Sequence, residues 1–581
     1  MRVALVLPGS GYRNSSPTSL AGGEHLGLGS IAAYLRQFGH EVTILNFQVE
    51  DSVFDAVCTP EEVTERILRY DPEIVGISVT GLTIGQALTV TTAIKQRKPH
   101  LHVCWGSHQA ASCAEEILRR EPYVDTIVAG DGEIPMLRLI EALERGEPLS
   151  TVPGLWYRDV DESAGMLPLL QIRLTSNPPE PDIDDLPFPA RDTLRELLDR
   201  DVAIKDARIY TSRGCPFRCT FCVYPALGYL RRWRDRSADK IVEEIKYLRD
   251  EFGIDHFWFS DDNFTLPSRR SRFRALELAE VLREAKLGVT YRVLMRADSV
   301  DGQEELMKAL ADSGLTCAYM GLESGSPRRL EYLDKHTNPD VYRRAVSLVR
   351  KYRIGLQVGF IMFDPFTSWE DLRIDADFLQ DIEETYLYTN MSQVLYAYPG
   401  TPIASQLIEK GLLPSDFNYK SGYREYRYEE PRIGELADVL HKAGDKQWVE
   451  VDDFFRRLRM IDVPAVYRNH PEEIADEINA AVETKIMSQN RDGYDFFVRA
   501  LAAGSEGDLA KVSDLVTDHY RTSARRAREM VSTLQAFPAH IVGRFSAFKY
   551  AAFSGPGQEI GVPPRSQAAM SAAPLGVSGD C

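Results

Sequence analysis

The stretch Gly214-Cys215-Pro216-Phe217-Arg218-Cys219-Thr220-Phe221-Cys222 constrains this chain more than any other. Its three cysteines are separated by three and two intervening residues, in a turn that follows the hydrophobic run Ala207-Arg208-Ile209-Tyr210-Thr211. A structural zinc takes four protein ligands, and this spacing offers three with no fourth nearby. A cubane of four irons and four sulfides has four corners, so three cysteines hold it and leave one iron open to another ligand. The spacing therefore predicts an open [4Fe-4S] site at Cys215, Cys219 and Cys222 rather than three cysteines buried as small hydrophobes.

At 581 residues the chain exceeds one compact core, and its length argues for three or four domains. A formal net charge of -18 leaves no general basic surface for phosphates. No nucleic-acid partner is expected, and the substrate is expected to be a small molecule, either free or bound to a carrier. Eight cysteines, three of them clustered, do not make a disulfide framework. With an oxygen-sensitive cluster, they predict the reducing cytoplasm. The run from Met1 to Pro8 is too short for a signal peptide, and no stretch reaches the roughly 18 apolar residues of a membrane span, so no membrane partner is expected.

The pattern is α/β throughout the first two thirds. Residues 1–150 hold short apolar runs at 2–7, 41–47, 73–79, 101–105 and 124–129, the signature of parallel strands covered on both faces. Leu28, Ile31, Leu35 and Phe38 recur at helical spacing before Gly39, a helix stop. A five-stranded, doubly wound, Rossmann-like domain is predicted. Such sheets bind ligands at the carboxyl ends of their strands. Those ends carry Gly9 and Ser10, Ser78 and Thr80, Gly106 with Ser107 and His108, and Gly130 with Gly132 and Glu133.

Ser78-Val79-Thr80 followed by Gly106-Ser107 at just under thirty residues resembles the pattern of the cobalamin-binding domain, with Thr for Leu and Ser for the second Gly. The resemblance implies that these strand ends hold cobalamin; the alternative is a Rossmann-like domain without a cofactor. The Asp-x-His-x-x-Gly element that supplies a cobalt ligand in that family is missing. His25 lies outside the pattern and reads as structural, so the lower face of the cobalt is expected to meet residues Thr80 to Ile84.

Residues 151–204 form a proline-rich connector, with a hairpin expected between Leu155-Trp156-Tyr157-Arg158 and Leu170-Gln171-Ile172-Arg173. From 205 to 402 the alternation resumes, with strands expected at 207–211, 255–260, 289–295, 315–321, 355–363 and 386–396. Six such units predict a partial (β/α)6 TIM-like barrel whose working residues sit at the C-terminal strand ends. Residues 403–553 read as a helical domain. The tail, 554–581, is rich in Gly, Pro, Ser and Ala and is expected to be disordered, which removes Cys581 as a ligand.

Ser260-Asp261-Asp262-Asn263-Phe264, Arg292, Arg296 and Gly321-Leu322-Glu323-Ser324 stand on or after the second, third and fourth barrel strands. With the cysteine loop they resemble the radical S-adenosylmethionine (radical SAM) superfamily. That resemblance implies that S-adenosylmethionine chelates the open iron and that Phe221 contacts its adenine. A ribose needs acceptors, for which Glu323 is the candidate. The ammonium needs a carboxylate, Asp261 or Asp262, and the carboxylate needs a cation, Arg296 or Arg292. Phe363-Asp364-Pro365 replaces the family's Gly-x-Pro-Gly-Glu, so the family's cofactor contact there is not carried over and Asp364 is expected to face the substrate instead.

A cobalamin domain joined to such a barrel resembles the class B radical SAM methyltransferases. The resemblance implies methylation of an unactivated carbon, in natural-product biosynthesis, through a 5'-deoxyadenosyl radical and methylcobalamin. It also implies an electron donor such as flavodoxin or ferredoxin. The alternative within the same family is a cyclase or ring-rearranging enzyme that transfers no methyl group.

Overall fold

Runs of Val, Ile and Leu separated by amphipathic helices build two mainly parallel sheets. The computed structural model describes them over residues 1–9, 24–53, 57–161, 169–204, 206–444, 448–543 and 545. Ser10 and the tail with Cys581 lie outside the described residues.

In the first sheet, β1 (Arg2–Leu7), β2 (Glu41–Asn46), β3 (Ile74–Ser78), β4 (His102–Gly106) and β5 (Thr126–Val128) pair in parallel in the order β2-β1-β3-β4-β5. Every position of β3 is buried, as expected for a strand covered on both faces. The helix Leu26–Gln37 buries Leu28, Ala32 and Leu35. Strand order reverses between β1 and β3, which makes the crevice at their carboxyl ends the ligand-binding point of such a sheet.

The expected hairpin forms from β6 (Leu155–Asp161) and β7 (Leu169–Leu174), but it does not bridge two domains. It pairs antiparallel with β5 and extends the expected five-stranded sheet to seven strands. The edge of β5 presents unpaired backbone groups, and the hairpin satisfies them. The proline-rich remainder of the connector is tightly held. Arg191, 4 % exposed, donates to Glu24 and to Glu244 at 2.6 Å each, and so links the first sheet's leading loop to the helix Ala238–Phe252.

The second sheet contains β8 (Asp206–Ile209), while β9 (Ser212–Arg213) and β10 (Arg234–Asp235) form a separate two-stranded ribbon beside the cysteine loop. It continues with β11 (His256–Phe259), β12 (Thr290–Met295), β13 (Leu315–Glu323) and β14 (Gly355–Phe360), all parallel, in the order β14-β13-β12-β11-β8. This is an open barrel. The sixth strand expected at 386–396 is replaced by the helix Tyr388–Ser392 and a single bridge from Phe363 to Val394. The amides of Tyr388 and Thr389 donate to the buried carboxylate of Asp452, at 3.0 and 2.7 Å, so they are not available to a ladder.

The C-terminal region is helical, led by Glu472–Glu506 and Leu509–Leu534. Ile433, Phe497 and Met530 belong to the same buried core as Phe259 and Met320, so these helices continue the barrel's packing. A π-helical turn, Leu458–Asp462, closes the N-terminal end of the barrel: a Cβ on Gly355 would come within 2.5 Å of the Met460 carbonyl oxygen. Among the described residues no helix is long and apolar enough to cross a membrane.

Candidate functional site

The cysteine loop is held from several sides. The Cys215 amide donates to the Leu230 carbonyl at 3.1 Å, and the Thr220 amide donates to the Leu333 carbonyl at 3.1 Å. The Ile403 amide donates to the Thr220 carbonyl at 2.9 Å. Gly214 opens the loop at φ +90°, where a Cβ would lie 2.2 Å from the Arg232 carbonyl oxygen. Neither the backbone angle nor the space admits a side chain. We expect Gly214→Ala to lose most of its iron after anaerobic reconstitution, and iron quantitation checks this. All three cysteines are half-buried and outside any disulfide. Burial, with the neighbouring thiols, pushes Cys222 up to about 12.

Around the loop, the strand-end residues separate into distinct roles. Phe221 packs against the buried cluster of Leu333, Leu395 and Ile403, with the Lys335 ammonium 6.0 Å from its ring. Glu323 ends β13 at φ +65° and meets Lys335 at 3.2 Å. Arg296 lies 3.7 Å over the Phe217 ring and donates to the Cys219 sulfur at 3.9 Å, while Asp298 and the Lys335 carbonyl hold its other hydrogens. Asp262 accepts from the Gly214 amide at 3.1 Å and from the Tyr224 hydroxyl at 2.5 Å.

Three expectations are corrected here. Asp261 does not present a carboxylate to a ligand: it is buried and accepts from the Thr211 amide at 2.6 Å, the Ser212 amide at 2.9 Å and the Thr211 hydroxyl. Burial pushes its pKa up, against Arg274 and these bonds. Arg292 is not beside the loop. It pairs with Asp206 at 3.1 Å, four residues below Arg296, or about 13 Å along an extended strand. Asp364 faces neither cofactor nor substrate, because Arg329, Tyr332 and the Phe366 amide occupy its oxygens.

At the first sheet, a cavity of about 440 Å³ opens at the β1/β3 crevice. Ser78, Thr80, Gly106, Ser107, His108, Gly130, Gly132 and Glu133 line it; Gly9 is buried beyond β1 and does not. Its depth is apolar, with Leu5, Trp105, Val128 and Met136. His25 also borders it, but its Nδ1 accepts from the Leu28 amide at 3.1 Å and its Nε2 meets the Ser78 hydroxyl at 2.9 Å. Burial lowers its pKa to about 4, which keeps the ring neutral. The far wall of the cavity is the barrel: Arg208, Tyr210, Gly214, Tyr224, Ser260 and Asp262. The carboxyl ends of both sheets thus open on one space.

The ion pair that joins the two walls was not visible as such in the sequence. Arg213, directly before Gly214, meets Glu133 at 2.9 Å, Asp131 at 3.3 Å and the Ser30 hydroxyl at 3.1 Å. Glu133 therefore lines the cavity with its carboxylate already committed. Burial lowers the Arg213 pKa, but Glu133 and Asp131 outweigh it and keep the guanidinium charged. Lys335 was also missed. A lone lysine in a turn gives no spacing signal, whereas Arg213 at least adjoins the cysteine motif.

Residues 19–140 match the B12 binding domain family, and residues 209–379 match the radical SAM superfamily. The chain is a B12-binding radical SAM protein. Its cofactors are cobalamin in the first domain, and a [4Fe-4S] cluster and S-adenosylmethionine in the second. An uncharacterized methyltransferase of Pyrococcus horikoshii is 28% identical over 418 residues, covering 71% of this chain and 84% of that protein. The cytidylyl-2-hydroxyethylphosphonate methyltransferase of Streptomyces wedmorensis is 28% identical over 469 residues, covering 72% and 84%. The fold resembles the solved cobalamin-dependent S-adenosylmethionine radical enzyme OxsB, with a TM-score of 0.66 at 20% identity over 92% of this chain and 80% of that one.

The residues present suit these groups. Among the described residues, no three His, Cys, Asp or Glu side chains close around one point as a single ion requires; a cubane takes one thiolate at each of three separate irons. Gly106 leaves open space where a Cβ would stand, and the cavity joins an apolar depth to a polar mouth, as a large amphipathic cofactor requires.

Proposed function

We propose that this B12-binding radical SAM protein is a C-methyltransferase acting on an unactivated carbon of a small molecule in natural-product biosynthesis. The observation that carries this is the shared cavity: the proposed cobalamin wall and the cluster loop border one space, joined by Arg213. Methyltransferases among the relatives support the reaction class, including one of Streptomyces wedmorensis.

When bound, the cluster and S-adenosylmethionine supply a hydrogen-abstracting carbon radical, and cobalamin supplies the methyl group. The protein's own part is placement and exclusion. We assign Cys215, Cys219 and Cys222 to the cluster, Phe221 to the adenine, Glu323 to the ribose, Asp262 to the ammonium and Arg296 to the carboxylate of S-adenosylmethionine. We assign Ser78, Thr80, Gly106, Ser107, His108, Gly130 and Gly132 to cobalamin. The half-buried loop and the closed lower end of the barrel limit access of water to a radical. A small-molecule substrate and a reductant belong to the chemistry of the superfamily; we propose flavodoxin or ferredoxin as the donor and the cytoplasm as the location.

A second possibility rests on the anaerobic magnesium-protoporphyrin IX monomethyl ester cyclase of Synechocystis, which is 27% identical over 64% of this chain. Product stoichiometry separates the two. Methyl transfer yields S-adenosylhomocysteine and 5'-deoxyadenosine in equal amounts during substrate turnover. 5'-Deoxyadenosine without S-adenosylhomocysteine refutes methyl transfer.

A further inference from the structure

The barrel lumen carries a row of side chains that the cofactor assignments leave unused. Register sets Arg208 on β8, Trp258 on β11 and Arg292 on β12 side by side. Alternation turns all three to the half-buried inner face, while Ala207, Phe257 and Tyr291 face the packed core. The Arg292 guanidinium carbon lies 4.0 Å from the Trp258 ring centroid, and that of Arg208 lies 4.9 Å from it. Because their strands flank β11, the two cations approach the ring from its two neighbouring strands.

Their charges are poorly balanced. Among the described residues no carboxylate comes within ion-pair distance of the Arg208 guanidinium: Glu24 accepts from its backbone amide, at 3.3 Å, and is committed to Arg191. Arg292 shares one hydrogen with Asp206. The Nε atoms of both arginines are buried without an acceptor. Buried donors and charges left in this state cost free energy that an arriving acceptor recovers. Burial also pushes both guanidinium pKa values down, which marks the same deficit.

One end of the row meets the shared cavity: Arg208 borders it, Trp258 and Arg292 stand on the next two strands into the barrel, and the π-helical turn closes the barrel's other end. We infer that Arg208 and Arg292, flanking Trp258, form an anchor for an oxyanion carried by the substrate, a carboxylate or a phosphate or phosphonate group. The anchor lies roughly 13 Å along the strand below Arg296, so the carbon to be attacked is separated from the anionic group by most of the length of a small molecule. The inference rests on the proposed function, which places the substrate in this lumen.

The test titrates holoenzyme, loaded with cobalamin and S-adenosylmethionine, with methylphosphonate and separately with acetate, followed by calorimetry. The wild type is expected to bind at least one probe, and the tighter probe assigns the oxyanion class. Arg208→Gln and Arg292→Gln should each weaken binding about tenfold or more, as expected for losing a charge-assisted hydrogen bond. No binding by the wild type, or binding by both variants as tight as that of the wild type, overturns the anchor. Should the variants fail to fold, relaxation of the probe's ³¹P or ¹³C nucleus in wild-type enzyme containing paramagnetic cob(II)alamin decides. Saturable enhancement supports the anchor and its absence overturns it. Corrinoid and iron content are read on the same samples, so a wild type that binds the probe but not cobalamin contradicts the proposed function and leaves the anchor intact.

Discussion

Cys215→Ala, Cys219→Ala and Cys222→Ala each reduce cleavage of S-adenosylmethionine to the assay background while cobalamin remains bound. The first half follows from the ligand count. Three thiolates hold three corners of the cluster; with one gone the cluster is not retained, and the open iron that S-adenosylmethionine would chelate goes with it. The second half follows from the structure. The cavity's own walls on the first sheet, from Leu5 and Ser78 to Met136, are built without the cysteines. The loop's backbone is also anchored independently of the thiols, through Leu230, Leu333 and Ile403. Anaerobic iron quantitation, corrinoid absorbance and chromatography of 5'-deoxyadenosine read the three quantities on one sample. Loss of cobalamin together with iron would mean that the loop shapes the cobalamin site as well.

Arg329→Met is the second large effect, and it acts on stability. Arg329 is fully buried between Asp364 and Asp375, which are also fully buried. It donates as well to the carbonyls of Met362 and Ile361, at 3.1 and 2.6 Å. Removing it leaves two carboxylates in the core without a counter-charge, a loss of about 3–5 kcal/mol by comparison with other broken buried pairs. The damage reaches the cluster. Tyr332 donates its hydroxyl to Asp364, while its carbonyl accepts from the Thr220 hydroxyl at 3.2 Å. Denaturant unfolding of the apoprotein should therefore show a much lower midpoint, and the refolded variant should take up less iron. A change below about 1 kcal/mol would place the pair among those that contribute little. Adding Asp364→Asn and Asp375→Asn to Arg329→Met should recover part of the loss, since the stranded charges are then gone.

These effects mark how far the sequence could be read. The cysteine spacing and the alternation of apolar runs with helices were legible because each repeats a local rule: ligand number in one case, strand and helix periods in the other. Which of two neighbouring polar residues does the work was less legible. Asp261 and Asp262 are adjacent in the loop after β11, where no strand or helix period says which way each side chain turns. Only one faces the loop's amide and the cavity. Arg292 lies within β12 and Arg296 just past its end, and height along a strand matters only once the strand's end is known. The hairpin at 155–174 was legible as a hairpin, but its docking on β5 is a long-range choice. The sixth barrel strand failed for a similar reason, because Asp452, more than fifty residues away, takes the amides of Tyr388 and Thr389.

The shared cavity is the centre of this account, and one spectroscopic measurement addresses it. In holoenzyme containing cob(II)alamin, the electron spin relaxation of the corrin is recorded with the cluster oxidised and then with it reduced to its paramagnetic state. The account predicts faster relaxation on reduction of the cluster and no such change in Cys219→Ala, because the two centres face one space. Relaxation that is unchanged when the wild-type cluster is reduced would place them apart and contradict it.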